Sequence, residues 1–369
     1  MPMNLPYEPS LEINYFSRLF DNTSECYKFF WFKAILTKIL EGRDTMSYEE
    51  LIDEMIADAW YMVTEYHLNL GPNDTLEKVV ELLQKTTQMK PSEKKETIMT
   101  FLKNCNDREV NAGKRTLTKN VPYRLQAPFM EHVKGKEWNV SERALLAKIN
   151  QEKRLMYYFG ELKGMNTEIQ IEQDWIAYIH KNQEIIKGWI QYNMITYLQR
   201  RNPSVPGIVD KLYPPQERKL EKVKKYWKLL LEIHPMREIY GHNELNGQNI
   251  SIDHFVPWSY VAHDEFWNLH PTTKSINSSK SNYLPDWDTY FPQLVKLDYA
   301  SYEMMWKNEL LLASFKKCAK EHLNNSDIQR KIYREGLQFE QFSNALEEVI
   351  RPVYQSAKNC GFRNWKYSK

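Results

Sequence analysis

I-D-H-F-V-P-W-S (Ile252 to Ser259), W-N-L (Trp267 to Leu269) and I-N-S-S-K-S-N-Y-L-P (Ile276 to Pro285) set an acid beside a histidine, then one Asn, then a second Asn in a helical turn. Cutting a phosphodiester requires an activated water, relief of charge on the phosphate and a stabilised leaving alkoxide. His254 suits the first task, because an imidazole with an unperturbed pKa of ~6.5 is mostly neutral near pH 7 and can take the water's proton. Asp253 and the amide oxygen of Asn277 suit the others, as hard oxygen ligands for a Mg²⁺ ion that keeps several waters and grips the substrate phosphate; Mn²⁺ is an expected substitute. Two protein ligands suffice for such an ion.

Around these residues the pattern turns from helical to extended. Ile239 to Leu245, an Asn246-Gly247 turn and Asn249 to Val256 predict a β-hairpin, since Asn-Gly tolerates positive φ at both turn positions. Lys274 to Asn282 predicts a short helix stopped by Pro285, giving a local β-β-α order. On an ideal strand Asp253 and His254 point to opposite faces, so the pleat is expected to end or twist near Val256-Pro257. Asn268 can bond backbone groups with both donor and acceptor and takes a positional role. Lys280, one turn beyond Asn277, either contacts the phosphate or closes the motif against an acid. Arg237 is a candidate phosphate clamp. His263 and His270 are weaker candidates as ligands.

Upstream, the chain reads as helical. Thr23 to Leu40, with Phe29, Phe30, Trp31, Phe32, Ile35, Leu36 and Ile39, is apolar nearly all round and predicts a helix inside a bundle. Ser47 with Glu50 and Asp74 with Glu77 fit helix-starting capping boxes. Met46 to Leu82 is strongly acidic and is read as a solvated helix face. Asn111 to Lys136 is basic, with Pro122 and Pro128, and predicts an irregular or partly extended connection; Lys114, Arg115, Lys119 and Arg124 are candidate phosphate contacts. Asp174 to Arg201 predicts one long helix ending before Pro203. From Lys211 to Lys228 there are seven Lys or Arg. On a helix over Gln216 to Leu231 they give a basic face, with Arg218, Lys219, Lys222 and Lys225 as candidate nucleic-acid contacts. Tyr302 to Cys318 and Phe339 to Lys358 predict further amphipathic helices, and the tail G-F-R-N-W-K-Y predicts a docked terminus.

With 369 residues, 42% hydrophobic and 13% aromatic, the chain can bury a sizeable core. No apolar run of about 18 residues and no signal-peptide pattern is present, so a cytoplasmic location without membrane association is expected. Cys26, Cys105, Cys318 and Cys360 form no C-x-x-C pair, so neither structural zinc nor a disulfide framework is expected. A net charge of +2 does not identify a partner, because steering depends on local distribution.

The order D-H-x-x-P-x-S, N, then N-x-x-K-S-N-x-x-P resembles the HNH (ββα-metal) endonucleases, and especially the HNH domain of RNA-guided CRISPR nucleases. The resemblance covers about residues 237 to 285. It implies Asp253 and Asn277 as metal ligands, His254 as general base, and products with 5′-phosphate and 3′-hydroxyl ends. The flanks Y-K-F-F-W-F-K-A-I-L, R-N-P-S-V-P-G-I and G-F-R-N-W are similar to segments of uncharacterised bacterial HNH-bearing proteins. Many HNH proteins brace the hairpin with zinc; here packing by Tyr240, Trp258 and Trp267 is expected instead.

The expected architecture is mainly α with a small α+β element, helical lobes surrounding a ββα motif. It divides into a helical region 1–200 for recognition or regulation, the motif with its basic helix at 201–290, and a helical region 291–369. The expected activity is Mg²⁺-dependent cleavage of DNA, with RNA as the other substrate class, in restriction or phage defence by fold-level analogy. One site cuts one strand, so double-strand cleavage calls for two nicks or a homodimer. The competing readings are a nucleic-acid-binding module with a vestigial site and an effector licensed by an activating protein partner.

Overall fold

A computed structural model describes residues 5–213 and 219–368 and is mainly helical. The chain forms two compact units, Met1–Pro203 with Leu212–Pro214 and Ser204–Lys211 with Pro215–Lys369. The motif and the expected C-terminal region 291–369 lie in the same unit.

In the first unit, helix α1 (Tyr27–Leu40) buries Phe29 to Phe32, Ile35, Leu36 and Ile39, as its all-round apolar sequence requires. Helix α2 (Tyr48–Thr64) starts at the Ser47–Glu50 capping box, with both reciprocal bonds present. It follows strand β1 (Thr45–Ser47), which pairs antiparallel with β3 (Glu168–Ile171); β3 also pairs with β2 (Tyr157–Phe159). This sheet was not legible in a half that reads as helical. Asp74 caps α3 (Thr75–Thr87) through Glu77 N–H, but Glu77 turns its carboxylate to Leu70 N–H instead of closing the box.

Four expectations are corrected in this unit. The acidic face of α2 is not solvated. Asp53, Glu54 and Asp58 are turned inward and pair with Lys114, with Lys38 and Lys95, and with Lys33 and Lys95 respectively. Residues 111–136 are helical turns rather than extended chain: α4 (Arg108–Leu117), a turn at Val121–Arg124 and 3₁₀ turns at Ala127–Met130 and Gly135–Trp138. Pro122 and Pro128 sit in the first turn of such pieces, where a missing N–H breaks nothing. Lys114, offered as a phosphate contact, is 1% exposed and held 2.6 Å from Asp53, and Arg124 lies over the Trp138 ring. The long helix 174–201 is two, α5 (Gln173–Lys181) and α6 (Gln183–Arg201). Asn182 leaves helical geometry at the junction while its side chain bonds the Tyr178 carbonyl.

In the second unit, α7 (Glu221–Ile233) buries Val223, Tyr226, Trp227, Leu230 and Leu231, the i, i+3, i+4, i+7, i+8 face of an amphipathic helix. It ends where Pro235 pushes His234 into extended backbone. Gln216, Glu217 and Arg218 lie outside the described residues. Strand β4 (Ile250–His254) pairs antiparallel with β5 (Leu269–Thr273) in the register Ile250↔Thr273 to His254↔Leu269. Pro271 is tolerated because both strands are edges. Helix α8 (Lys274–Lys280), capped by Thr273, follows directly.

The expected hairpin therefore has the wrong first strand. Ile239–Leu245 forms turns apart from a single Arg237↔Glu244 bridge, and neither Asn246 nor Gly247 adopts positive φ. The true partner of β4 lies beyond a 14-residue loop, 255–268. Behind the pair come β6 (Leu284–Pro285), α9 (Trp287–Lys307), α10 (Glu309–His322) and α11 (Phe339–Asn359). The expected helix 302–318 is broken at Asn308, whose side chain caps α10. The tail docks as expected: β7 (Asn364–Trp365) runs parallel to β6.

Candidate functional site

Two neighbouring residues at the end of β4 take different partners. Asp253 is 3% exposed. Its Oδ2 accepts the Tyr240 hydroxyl at 2.7 Å and lies 3.5 Å from His270 Nε2, while Oδ1 is 3.2 Å from Lys280 Nζ. His270 is its cross-strand partner, and Lys280 ends α8, so pleat and helix together build this cluster. With the Tyr240 proton committed to Asp253, His270 Nε2–H donates to the Tyr240 oxygen at 3.1 Å.

Burial shapes the electrostatics. The His270 pKa is pushed down to about 4 by desolvation, against the pull of Asp253. Desolvation also lowers the Lys280 ammonium, and burial beside Asp253 holds the Tyr240 phenol well above its usual range. Lys280 Nζ donates to the His254 carbonyl at 2.7 Å as well, so it joins the two catalytic candidates. Of its two anticipated roles, the structure shows closure of the motif against an acid.

His254 turns to the loop instead, with Nε2 2.8 Å from Asp264 Oδ1. Asp264 is in turn held through its own carbonyl, which accepts His322 Nδ1–H at 2.7 Å. A carboxylate on Nε2 fixes the proton there and leaves Nδ1 as the basic nitrogen. Asn268 clasps the other end of this loop: its Oδ1 accepts Val256 N–H at 2.7 Å and its Nδ2 donates to Val256 O at 2.9 Å. Asn277 lies on α8 with Nδ2 donating to Ser251 Oγ (2.8 Å) and Ile252 O (3.1 Å), which fixes the orientation of the amide.

The donor chemistry, one carboxylate and one carboxamide oxygen from adjacent elements, fits a hard divalent ion. Among the described residues no group of three or more His, Cys, Asp or Glu forms a metal cage. His263 is exposed, and the four cysteines are free. Of the basic candidates, Lys219 and Lys225 are exposed, Lys222 pairs with Glu321, Arg237 lies 3.5 Å from Glu244, and Arg218 is outside the described residues.

Sequence reasoning missed Asp264 and Glu238. Asp264 left a faint signal, an acid in the loop between His254 and Asn268. Glu238 left none. It is fully buried and accepts the backbone N–H groups of Tyr240 (2.7 Å), Gly241 (2.8 Å) and Asn243 (2.9 Å), shaping the loop that delivers Tyr240 to Asp253.

Residues 237–286 match the family model of the HNH endonucleases. The chain is similar to that family over this segment, and the finer likeness to RNA-guided CRISPR nucleases is not part of the match. No curated protein and no solved structure gives a significant match. Among the described residues no helix is long and apolar enough to cross a membrane.

Proposed function

We propose that the second unit is a divalent-metal-dependent endonuclease that hydrolyses DNA phosphodiester bonds, working in restriction or phage defence. The observation that carries this reading is that Asp253, His254 and Asn277 lie on one β-β-α unit within the HNH-like segment. Asp253 and Asn277 would hold the ion, Mg²⁺ by the hardness of their oxygens. When bound, it supplies a positive charge opposite the phosphate and the leaving oxygen.

The rest falls to the chain itself. His254 accepts the attacking water's proton at Nδ1, with Asp264 holding the Nε2 proton and stabilising the imidazolium. Asn268 keeps loop 255–268 closed so that Asp264 stays in reach. Lys280 and Tyr240 orient the Asp253 carboxylate. The restriction or defence setting rests on analogy with the fold.

The test is supercoiled plasmid incubated with the protein and its His254→Ala variant, with Mg²⁺ or Mn²⁺ and with EDTA. Metal-dependent nicking or linearisation, lost in the variant while DNA binding persists, is expected. Cleavage that survives His254→Ala rejects the general base. Binding without cleavage under either metal favours a nucleic-acid-binding module or a chain awaiting an activating partner.

A further inference from the structure

His234, Arg237, His242 and Lys296 line one cavity of about 250 Å³ in the second unit, many times the roughly 10–15 Å³ that one water needs by the same measure. All four side chains are exposed, and none of Asp253, His254 and Asn277 lines the cavity. Its one carboxylate, Glu238, is turned inward onto three backbone N–H groups and the Asn243 amide and forms no ion pair with Arg237 or Lys296. The Arg237–Glu244 contact is 3.5 Å between side chains 65% and 83% exposed, a pair that water largely screens.

The loop bearing these groups is held in a costly shape. His242 sits at φ +57°, in the left-handed region that a residue with a Cβ avoids. Gly241 beside it has no room for a side chain: a Cβ would come within 2.8 Å of the Tyr367 ring and 3.1 Å of Glu238 Oε1. Glu238 bonds both neighbours of His242 and so maintains the strained residue at the cavity wall. The same loop carries Tyr240, whose hydroxyl rests on Asp253. One rigid segment thus borders both the cationic cavity and the candidate site.

We propose that this cavity binds a phosphate of the nucleic-acid backbone other than the scissile one. Arg237 and Lys296 supply fixed charge, and His234 and His242 supply hydrogen bonds. The identity of the polymer rests on the nuclease reading. A free nucleotide offers the same chemistry, but an open cluster of exposed cations suits a phosphate presented by a polymer held at other points as well.

The experiment uses the full chain with His254→Ala, so that duplex DNA stays intact, and adds Arg237→Ala with Lys296→Ala. Affinity for a labelled duplex is measured over a series of salt concentrations. The expected result is at least roughly 10-fold weaker binding at low salt and a log–log salt slope shallower by about 0.9, the release expected for one phosphate contact, at an unchanged unfolding temperature. A control removing Lys307 and Lys358 by Ala substitution should leave the slope as it was. An equal loss in both variants, or no change in slope, overturns the proposal. So does protection against heat by inorganic phosphate or AMP that the double variant abolishes while the duplex slope stays constant, since the ligand would then be a free phosphate compound. Plasmid nicking by the chain with native His254 is run alongside. Intact nicking with a constant slope removes the cavity alone; absent nicking with a shifted slope removes the nuclease reading alone.

Discussion

The proton on His254 is governed by Asp264, whose Oδ1 sits 2.8 Å from Nε2. An Asn at position 264 can present its NH₂ to Nε2, moving the proton to Nδ1 and taking away the basic nitrogen. Asp264→Asn is therefore expected to slow single-turnover nicking by about 10²-fold or more, with duplex affinity and the metal concentration for half-activity unchanged. A rate equal to that of the native chain would remove Asp264 from the mechanism. Asp253, His254, Asn268 and Asn277 were legible as candidates because their chemistry and order are local. Asp264 was not, because an acid ten residues from His254 meets it only if loop 255–268 folds back. Glu238 was hidden for the opposite reason: a lone Glu reads as a surface charge until its burial is known.

At the scale of elements, strand β4 and the short helix after the loop were foreseen, and the strand that pairs with β4 was not. Asn246-Gly247 gave a strong short-range turn signal, yet the strand that joins β4 arrives after a 14-residue loop, and the turn itself keeps negative φ. Helix ends at Asn182 and Asn308 were likewise missed, since periodicity runs through them while one side chain redirects the backbone. The acidic helix α2 shows how burial overrides composition. Asp53 lies against Lys114 of α4, both nearly inaccessible, and desolvation still raises the Asp53 pKa to about 6. Lys114→Ala strands a buried carboxylate and should cost about 3 kcal/mol at pH 7 in denaturant unfolding. Because the folded pKa lies above that of the unfolded chain, the folded state takes up a proton as pH falls from about 6 towards about 4. The variant's loss should therefore shrink at pH 5. A loss that is the same at both pH values would show that Asp53 does not titrate there.

At the scale of the whole molecule, the second unit has its own core, running from Val223 through Phe255, Trp267, Leu294 and Phe342 to Phe362. A fragment comprising residues 204–369 is expected to unfold cooperatively and to nick plasmid with the metal dependence of the full chain. Cooperative unfolding without nicking would make the first unit necessary for catalysis. Folding that needs the first unit would show as a broad, non-cooperative transition. The sequence by itself determined the helical character, the buried α1, strand β4 and the short helix α8, and it offered Asp253, His254, Asn268 and Asn277 as candidates, because these follow from residue chemistry and spacing along a few turns of chain. Only the tertiary structure decided which strand pairs with β4, that Lys280 and Tyr240 close on Asp253, that Asp264 reaches His254, and that Glu238 shapes the adjoining loop. Those contacts depend on desolvation and on segments that approach each other through folding, which periodicity and composition do not encode.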